Sequence, residues 1–350
     1  MSIPDSSREG NMKKKLNILM VFDIQITRPR GYDYKEEFKL EECRVYNEVH
    51  RALQKNGHNV RLLGLHNNIR PLLDEIEENR PDVVFNLADI FDEKTHLDKN
   101  IAWILEMFDL AYTGGTPANL SVCNDKALSK KILSFHRIKV PHFHTFYRGY
   151  RIHRSKKKLK LPLIVKPLSE EASRGISQAS LIEDDKALQE RIRFIHENMG
   201  VDAIAEEYIS GREFYASLIG NKSIKALPLR EIRFGQIPEE ESRIATYKAK
   251  WDEEYRKRWG IKNTFAGRLP EKWEEKIVDT CKRAYRALNL RSYVRFDVRV
   301  TPDGQVYVIE ANVNPSLEPD DEFERSADKA GISFDKLVQR IVDISLQKGK

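Results

Sequence analysis

Two short stretches near the C-terminal end carry side chains that suit a hard cation. Residues 293–300 read YVRFDVRV and residues 307–316 read YVIEANVNPS, with Thr301-Pro302-Asp303-Gly304-Gln305 as a turn signal between them. The alternation predicts a hairpin with Thr301 opposite Val306, Val300 opposite Tyr307, Val298 opposite Ile309, Phe296 opposite Ala311 and Val294 opposite Val313. The last four pairs share a face that is wholly apolar. The other face sets Asp297 opposite Glu310 and Arg295 opposite Asn312, and a one-residue slip would mix the two sets. Carboxylates directly opposite each other destabilise a sheet unless a cation lies between them. Asp, Glu and Asn oxygens are the ligand type for magnesium held together with substrate phosphates. A surface hairpin with a merely wet polar face has the same spacing, so the pattern alone leaves both readings open.

Other stretches carry weaker signals. Lys166 ends the apolar run LPLIVKP, where a strand end opens to solvent, and Leu168–Ile176 follows as a small-residue turn. Backbone N–H groups and a cation there would cradle a phosphate, although the spacing of a P-loop is absent. Lys126 opens a helix in Cys123-Asn-Asp-Lys-Ala. Residues 206–213 (EEYISGRE) join two strands, and such a connector can offer backbone groups to a purine and a carboxylate to a ribose. Tyr247-Lys-Ala-Lys-Trp251 lies in a long polar loop near 234–268, the kind of segment that often forms a lid. Taken singly, each of these also reads as an ordinary turn, solvated lysine or connector.

The elements that must position these groups come in three runs. The first alternates strand and helix: strands at 16–22, 60–65 and 82–87, helices at 41–56, 70–79 and 98–109. This is a βαβ series with a small parallel sheet. A middle α+β unit has a helix at 124–136, strands at 142–147 and 161–166, a helix at 184–198 and a strand at 203–208. The last run has strands near 213–219 and 224–230, the polar loop, a helix near 271–288, the hairpin, and helices near 321–330 and 333–346. The expected units are a loose tail 1–15 and domains 16–121, 122–208 and 209–350.

Composition sets the limits. The chain has 350 residues, 40% apolar and 33% charged, with a net charge of +6, enough for two or three domains with cores of their own. Cys43, Cys123 and Cys281 lie far apart with no metal spacing. Free thiols and a cytoplasmic location are expected. The apolar run Leu16–Phe22 is too short for a membrane span. Part of the charge sits in Arg148–Lys160 (RGYRIHRSKKKLK). Without a recognition motif, that stretch is better read as a solvated basic loop than as a nucleic-acid contact.

In this order the pieces resemble the ATP-grasp superfamily, in its D-alanine–D-alanine ligase-like branch, over roughly residues 80–346. The resemblance rests on AYTGG (111–115) with NDK (124–126), PLIVKP (162–167), AEEYISGREF (205–214), YKAKW (247–251), VRFDVRV (294–300) with VIEANVNP (308–315), and AGISFDKLVQRIV (330–342). It implies an α/β plus α+β architecture: an N-terminal βαβ domain followed by a two-part ATP-grasp fold that clasps a nucleotide between two sheets. It also implies ATP and two magnesium ions, with manganese as the alternative. Lys126 and Lys166 would hold the phosphates, with Ser173 in the small-residue loop. Glu206, Glu207, Tyr208 and Ile209 would line the adenine, and Glu213 would bind the ribose. Lys250 would reach the terminal phosphate, Arg295 would neutralise the transition state, and Asp297, Glu310 and Asn312 would hold the metals. The implied reaction joins a small carboxylate to an amine through an acyl phosphate, releasing ADP and phosphate. The alternatives are a D-alanine–D-alanine ligase proper and a non-catalytic ATP-binding protein. A homodimer through the first domain is implied, and neither nucleic acid nor membrane is an expected partner.

The substrate end departs from the family pattern. Phe22-Asp-Ile-Gln-Ile-Thr-Arg-Pro stands where a Gly-Gly-x-Ser-x-Glu stretch is usual, and Asn86–Glu93 replaces a His-Gly-x-x-Gly-Glu run. Trp251 replaces a tyrosine, Glu171 and Ala172 replace loop residues that are usually glycine and serine, and Ser316 replaces a glycine. Glu318-Pro-Asp-Asp321 stands in place of the serine loop that receives an acceptor carboxylate. An acidic loop there repels a carboxylate and attracts an amine.

Overall fold

A computed structural model describes residues 15–152, 159–169, 175–235 and 246–347. The N-terminal run forms β1 (Asn17–Asp23), α1 (Arg44–Lys55), β2 (Asn59–Leu65), α2 (Arg70–Glu78), β3 (Val83–Leu87) and α3 (Asp98–Met107). Its sheet is parallel in the order β2-β1-β3. The central strand is apolar and buried from Ile18 to Phe22 because both its faces are covered.

The expected helix at 124–136 is α5 (Lys126–Phe135), and an unexpected helix, α4 (Pro117–Asn124), precedes it. Asp125 separates them with extended backbone, and its carboxylate accepts from the N–H groups of Ala127 and Leu128 at 2.9 and 2.8 Å. This cap starts the new helix at Lys126. Lys130 follows four residues later on the same face.

The middle sheet contains β4 (Phe143–Phe146), β5 (Leu163–Pro167), β6 (Leu181–Ile182) and β7 (Ala203–Glu207), in the order β4-β7-β5-β6, with α6 (Asp185–Phe194) before β7. One face, including Leu163, Val165, Ala203 and Ala205, buries against Leu188 and Ile192 of α6. Ile164, Lys166, Ile204 and Glu206 alternate onto the other face, where Ile204 packs with Ala127 of α5.

The last sheet is built from β8 (Arg212–Ile219), β9 (Lys225–Ala226), β10 (Arg230–Arg233), β11 (Lys262–Phe265), β12 (Tyr293–Val300) and β13 (Val306–Val313). Its main order is β11-β10-β8-β12-β13. Between β10 and β11 the expected polar loop instead holds α7 (Tyr247–Trp251) and α8 (Glu253–Trp259); residues 236–245 of that loop lie outside the described residues. Phe214, Ala216 and Leu218 of β8 and Val294, Phe296 and Val298 of β12 pack on Ile277, Cys281, Ala284 and Tyr285 of α9 (Trp273–Ala287). Helices α10 (Glu322–Lys329) and α11 (Phe334–Ser345) close the chain. Their residues Phe323, Leu337 and Ile341 share one core with Ile18, Met20 and Phe85 of the first sheet and with Ile219 and Tyr293 of the last.

At that seam, Gly115 N–H donates to Asn314 Oδ1 at 2.8 Å. Gly114 has φ +91°, and a Cβ there would lie 2.3 Å from the same Asn314 oxygen. Only glycine permits both that conformation and that approach. No helix among the described residues is long and apolar enough to cross a membrane, and no disulfide joins Cys43, Cys123 and Cys281.

Candidate active site

The hairpin holds the expected register only at its inner end. Val294 faces Val313, Arg295 faces Asn312, Phe296 faces Ala311 and Asp297 faces Glu310. Beyond Asp297 the register shifts, so that Val298 faces Val308, Arg299 faces Tyr307 and Val300 faces Val306. The expected pairs Val298–Ile309, Val300–Tyr307 and Thr301–Val306 are therefore wrong, and Ile309 is the extra residue of a β-bulge. The freed backbone groups are satisfied elsewhere. Ile309 C=O accepts from Lys130 Nζ at 2.7 Å, and Val308 N–H donates to Lys139 C=O at 2.9 Å.

The polar face extends onto β8. Ser217, Tyr215 and Glu213 lie opposite Arg295, Asp297 and Arg299. Arg295 Nε donates to Asp297 Oδ1 at 2.8 Å, and the guanidinium lies 5.2 Å from the Tyr215 ring centroid. Burial opposes the Arg295 charge, but Asp297 outweighs it and holds the guanidinium above its ordinary range. Asn312 Nδ2 donates to the same Asp297 oxygen at 3.0 Å, which turns its carbonyl oxygen away from Asp297. Lys250 Nζ lies 3.6 Å from Asp297 Oδ2. Glu310 Oε1 pairs with Lys126 Nζ at 3.0 Å. Burial would raise the Glu310 carboxyl, yet the lysines Lys126, Lys166 and Lys250 hold it well below the carboxylate range. The cations between the two facing carboxylates are thus the protein's own.

Lys166 does not point to solvent at its strand end. It is 4% exposed, with Nζ 3.1 Å from Glu206 Oε1. Lys130 Nζ lies 3.0 Å from the same oxygen. Burial would raise Glu206, but the two ammonium groups keep it ionised below its ordinary value. Glu213 pairs with Arg299 Nε at 3.1 Å, and Arg299 also donates to Ile209 C=O at 2.7 Å. Sequence reasoning missed Lys130, Tyr215 and Arg299. The only trace of Lys130 is its spacing of four from Lys126, and Tyr215 and Arg299 alternate with residues already singled out.

These side chains line two cavities that share Lys250 and Glu310. One is bounded by Lys166, Glu206, Glu207, Tyr208, Ile209, Glu213 and Asp297. The other, of about 240 Å³, runs past Lys126, Arg295 and Asn312 to Ser316 and Asp321. Every candidate site residue is brought to this pair of cavities except Ser173, which lies outside the described residues, as do residues 153–158 of the basic stretch.

The acidic loop is less anionic than its composition implies. Asp320 pairs with Arg325 at 2.5 Å and Arg44 at 3.3 Å, and Glu322 pairs with Arg230 at 3.0 Å and accepts from Asn263 at 2.5 Å. Asp321 caps α10 by accepting from Glu322 N–H at 2.7 Å.

The donor set suits magnesium. Asp297 and Glu310 supply carboxylate oxygens, and Asn312 supplies a carbonyl oxygen. No three acidic, histidine or cysteine side chains converge as a closed cage among the described residues. A partial oxygen set leaves positions for phosphate oxygens and water, as magnesium sites that serve nucleotides do. With all groups ionised, Lys126, Lys130, Lys166, Lys250 and Arg295 outnumber Glu206, Asp297 and Glu310 by five charges to three. Lys126, Lys166, Lys250 and Arg295 line the cavities, and Lys130 stands behind them against Glu206.

The family model described as the D-ala D-ala ligase C-terminus matches residues 133–343. An uncharacterized protein of Sinorhizobium fredii is 29% identical over 86% of this chain and 87% of its own length. A D-alanine–D-alanine ligase of Carboxydothermus hydrogenoformans is 28% identical over 87% of this chain and 93% of its own. The crystal structure of the Bacillus anthracis D-alanine–D-alanine ligase complexed with ATP superposes with a TM-score of 0.72 at 24% identity, over 95% of this chain and 98% of that one. The architecture is accordingly the ATP-grasp fold preceded by a parallel-sheet domain.

Proposed function

The chain belongs to the D-alanine–D-alanine ligase family of ATP-grasp, C–N bond-forming ligases, and from that premise we propose that it activates a small carboxylate with ATP and joins it to an amine. The carboxylate oxygen attacks the γ-phosphorus and the bond to the β–γ bridging oxygen breaks, which gives an acyl phosphate and ADP. The amine nitrogen then attacks the acyl carbon. Phosphate leaves with the bonding electron pair, and the nitrogen sheds a proton to solvent.

The observation that carries this reading is the convergence of Lys126, Lys166, Lys250 and Arg295 on the oxygen donors Asp297, Glu310 and Asn312. Phosphoryl transfer needs positioning and charge neutralisation, with no protein nucleophile. Lys126 and Lys166 hold the phosphates, Lys250 meets the transferred group, and Arg295 stabilises charge developing at the transition state. Tyr208 and Ile209 offer the adenine wall, with Glu206 and Glu207 beside it and Glu213 toward the ribose. Asp297, Glu310 and Asn312 would hold two magnesium ions, or manganese, whose charge neutralises the triphosphate. Ser173 belongs to the phosphate loop in the same proposal.

For the acceptor, Asp321 is the informative residue. Its two acidic neighbours are neutralised by arginines, whereas Asp321 lines the cavity, where its carboxylate accepts from the Glu322 N–H and acts on Arg295 through space. An acceptor without a carboxylate at that point fits best. The second reading, D-alanine–D-alanine synthesis, draws on the names of the relatives. A homodimer and a cytoplasmic location complete the proposal.

The test is phosphate release from ATP and magnesium by the purified protein across a panel of acids and amines that includes D-alanine. Acceptor-dependent release of ADP and phosphate is expected. AMP as product would overturn the acyl-phosphate route. Robust dipeptide formation from D-alanine alone would overturn the acceptor assignment and leave the ligase assignment standing.

A further inference from the structure

Lys130 is 2% exposed and lines neither cavity, yet it joins two sheets of the site. Its Nζ lies 3.0 Å from Glu206 Oε1 on β7 and 2.7 Å from the carbonyl of Ile309 in the bulge of β13. Lys166 Nζ lies 3.1 Å from that same Glu206 oxygen. One ammonium therefore bridges the middle sheet and the last sheet, and it approaches the last sheet one residue before Glu310.

We propose that Lys130 is the positioning residue that sets the phosphate-binding lysine and the metal-binding strand relative to each other. The proposal rests on the ATP-dependent reading above. The bulge displaces the register by one residue, and Glu310 and Asn312 keep their alignment with Asp297 and Arg295 only if the extra residue stays at Ile309. Lys130 fixes it there by taking up the Ile309 carbonyl, which the ladder has released. The same ammonium shares the Glu206 carboxylate with Lys166. A single carboxylate then balances two cations, so Lys166 keeps charge available for an anion instead of being consumed in a one-to-one pair. Burial pulls the Lys130 ammonium down to about 8, against the attraction of Glu206.

Position is the reason for a lysine here. Lys130 stands one helical turn after Lys126, so the Asp125 cap that starts α5 aims both ammonium groups at the sheet. Lys126 meets Glu310, and Lys130 meets the carbonyl just before it. The helix thereby grips two consecutive residues of β13.

The experiment compares the parent with Lys130→Met, Lys130→Arg and the double variant Lys130→Met with Glu206→Gln. Binding of a non-hydrolysable ATP analogue is measured by calorimetry at several magnesium concentrations, alongside thermal melting and steady-state kinetics. Lys130→Met is expected to weaken analogue binding by about tenfold or more and to raise the magnesium concentration at half-saturation, scaled to the loss of one buried charge-assisted contact. Lys130→Arg is expected to recover part of both. The double variant restores charge balance but still lacks the bridge, so its magnesium requirement stays high. Analogue binding and magnesium dependence equal to the parent in any folded Lys130→Met preparation would overturn the proposal. So would a double variant with parental magnesium dependence. If Lys130→Met does not fold, Lys130→Ala, which likewise lacks a donor for Ile309, is read by the same criteria. Failure of the parent itself to bind the analogue would instead defeat the ATP-dependent reading.

Discussion

Asp297 and Glu310 face each other across β12 and β13, and each carboxylate is held by a different cation, Arg295 at 2.8 Å and Lys126 at 3.0 Å. Their mutual repulsion is thus met within the protein. Neutralising either one leaves a cation unmatched and removes an oxygen donor. Asp297→Asn and Glu310→Gln are each expected to lower kcat/KM for ATP by about 100-fold or more, the scale of losing a group aimed at developing charge. Steady-state phosphate release checks this, and a double variant that turns over like the parent would sink the metal-site assignment.

Arg295 combines a planar pairing with Asp297 and a place over the Tyr215 ring. Lysine cannot reproduce either geometry. Arg295→Lys is expected to lower kcat by about 100-fold with KM for ATP within about threefold, because the contact acts chiefly in the transition state. A change confined to KM would move Arg295 into ground-state binding.

The pH dependence of stability follows from the buried glutamates. Burial works against their ionisation, but the surrounding lysines outweigh it, so Glu206 and Glu310 both titrate below their ordinary value of 4.5. A depressed carboxylate contributes stability that is complete above the unfolded-state value and is lost as pH falls toward the folded-state value. Chemical denaturation should therefore show stability declining below pH 4.5. Glu310→Gln should flatten that decline by up to about 1.4 kcal/mol per pH unit, one proton's worth. Parallel slopes for parent and variant would contradict the ion-paired assignment.

The Arg230–Glu322 pair is buried and is completed by Asn263. Removing one partner strands a charge. Arg230→Met is expected to cost about 3–5 kcal/mol in denaturant unfolding, and pairing it with Glu322→Leu is expected to recover most of that loss. Equal losses in the single and double variants would show that the arginine stem carries the effect by packing.

Asp321→Ser keeps an N-cap side chain for α10 and removes the carboxylate that lines the cavity. The ratio of kcat/KM for acceptors that bear a carboxylate to those that lack one is expected to rise by about tenfold, the weight of one removed like-charge contact. An unchanged ratio would place acceptor selection elsewhere.

Much of the polar face was legible because alternation places Arg295, Asp297, Glu310 and Asn312 on one side whatever the distal half of the hairpin does. The bulge at Ile309 was not legible. It is set by groups far away in sequence, Lys130 and Lys139, which take the backbone partners of Ile309 and Val308. The burial of Lys166 was equally hidden. A strand-end lysine is solvated by default, and only the approach of Glu206 from β7 with Lys130 from α5 makes an interior position tenable. The acidic loop misled for the same reason: Arg44, Arg230 and Arg325 come from three separate segments. Secondary structure failed chiefly at 234–268, where charged residues on short helices lack a long apolar stripe.

The Gly114–Asn314 seam has a mechanical consequence. With no room for a side chain there, and with Ile18, Phe85, Tyr293, Phe323 and Leu337 in a common core, the first and last sheets are packed as one body of apolar contacts. The middle sheet keeps a separate core under α6. Filling the seam with alanine at Gly114 would therefore disturb the shared core of the first and last sheets and leave the core under α6 intact.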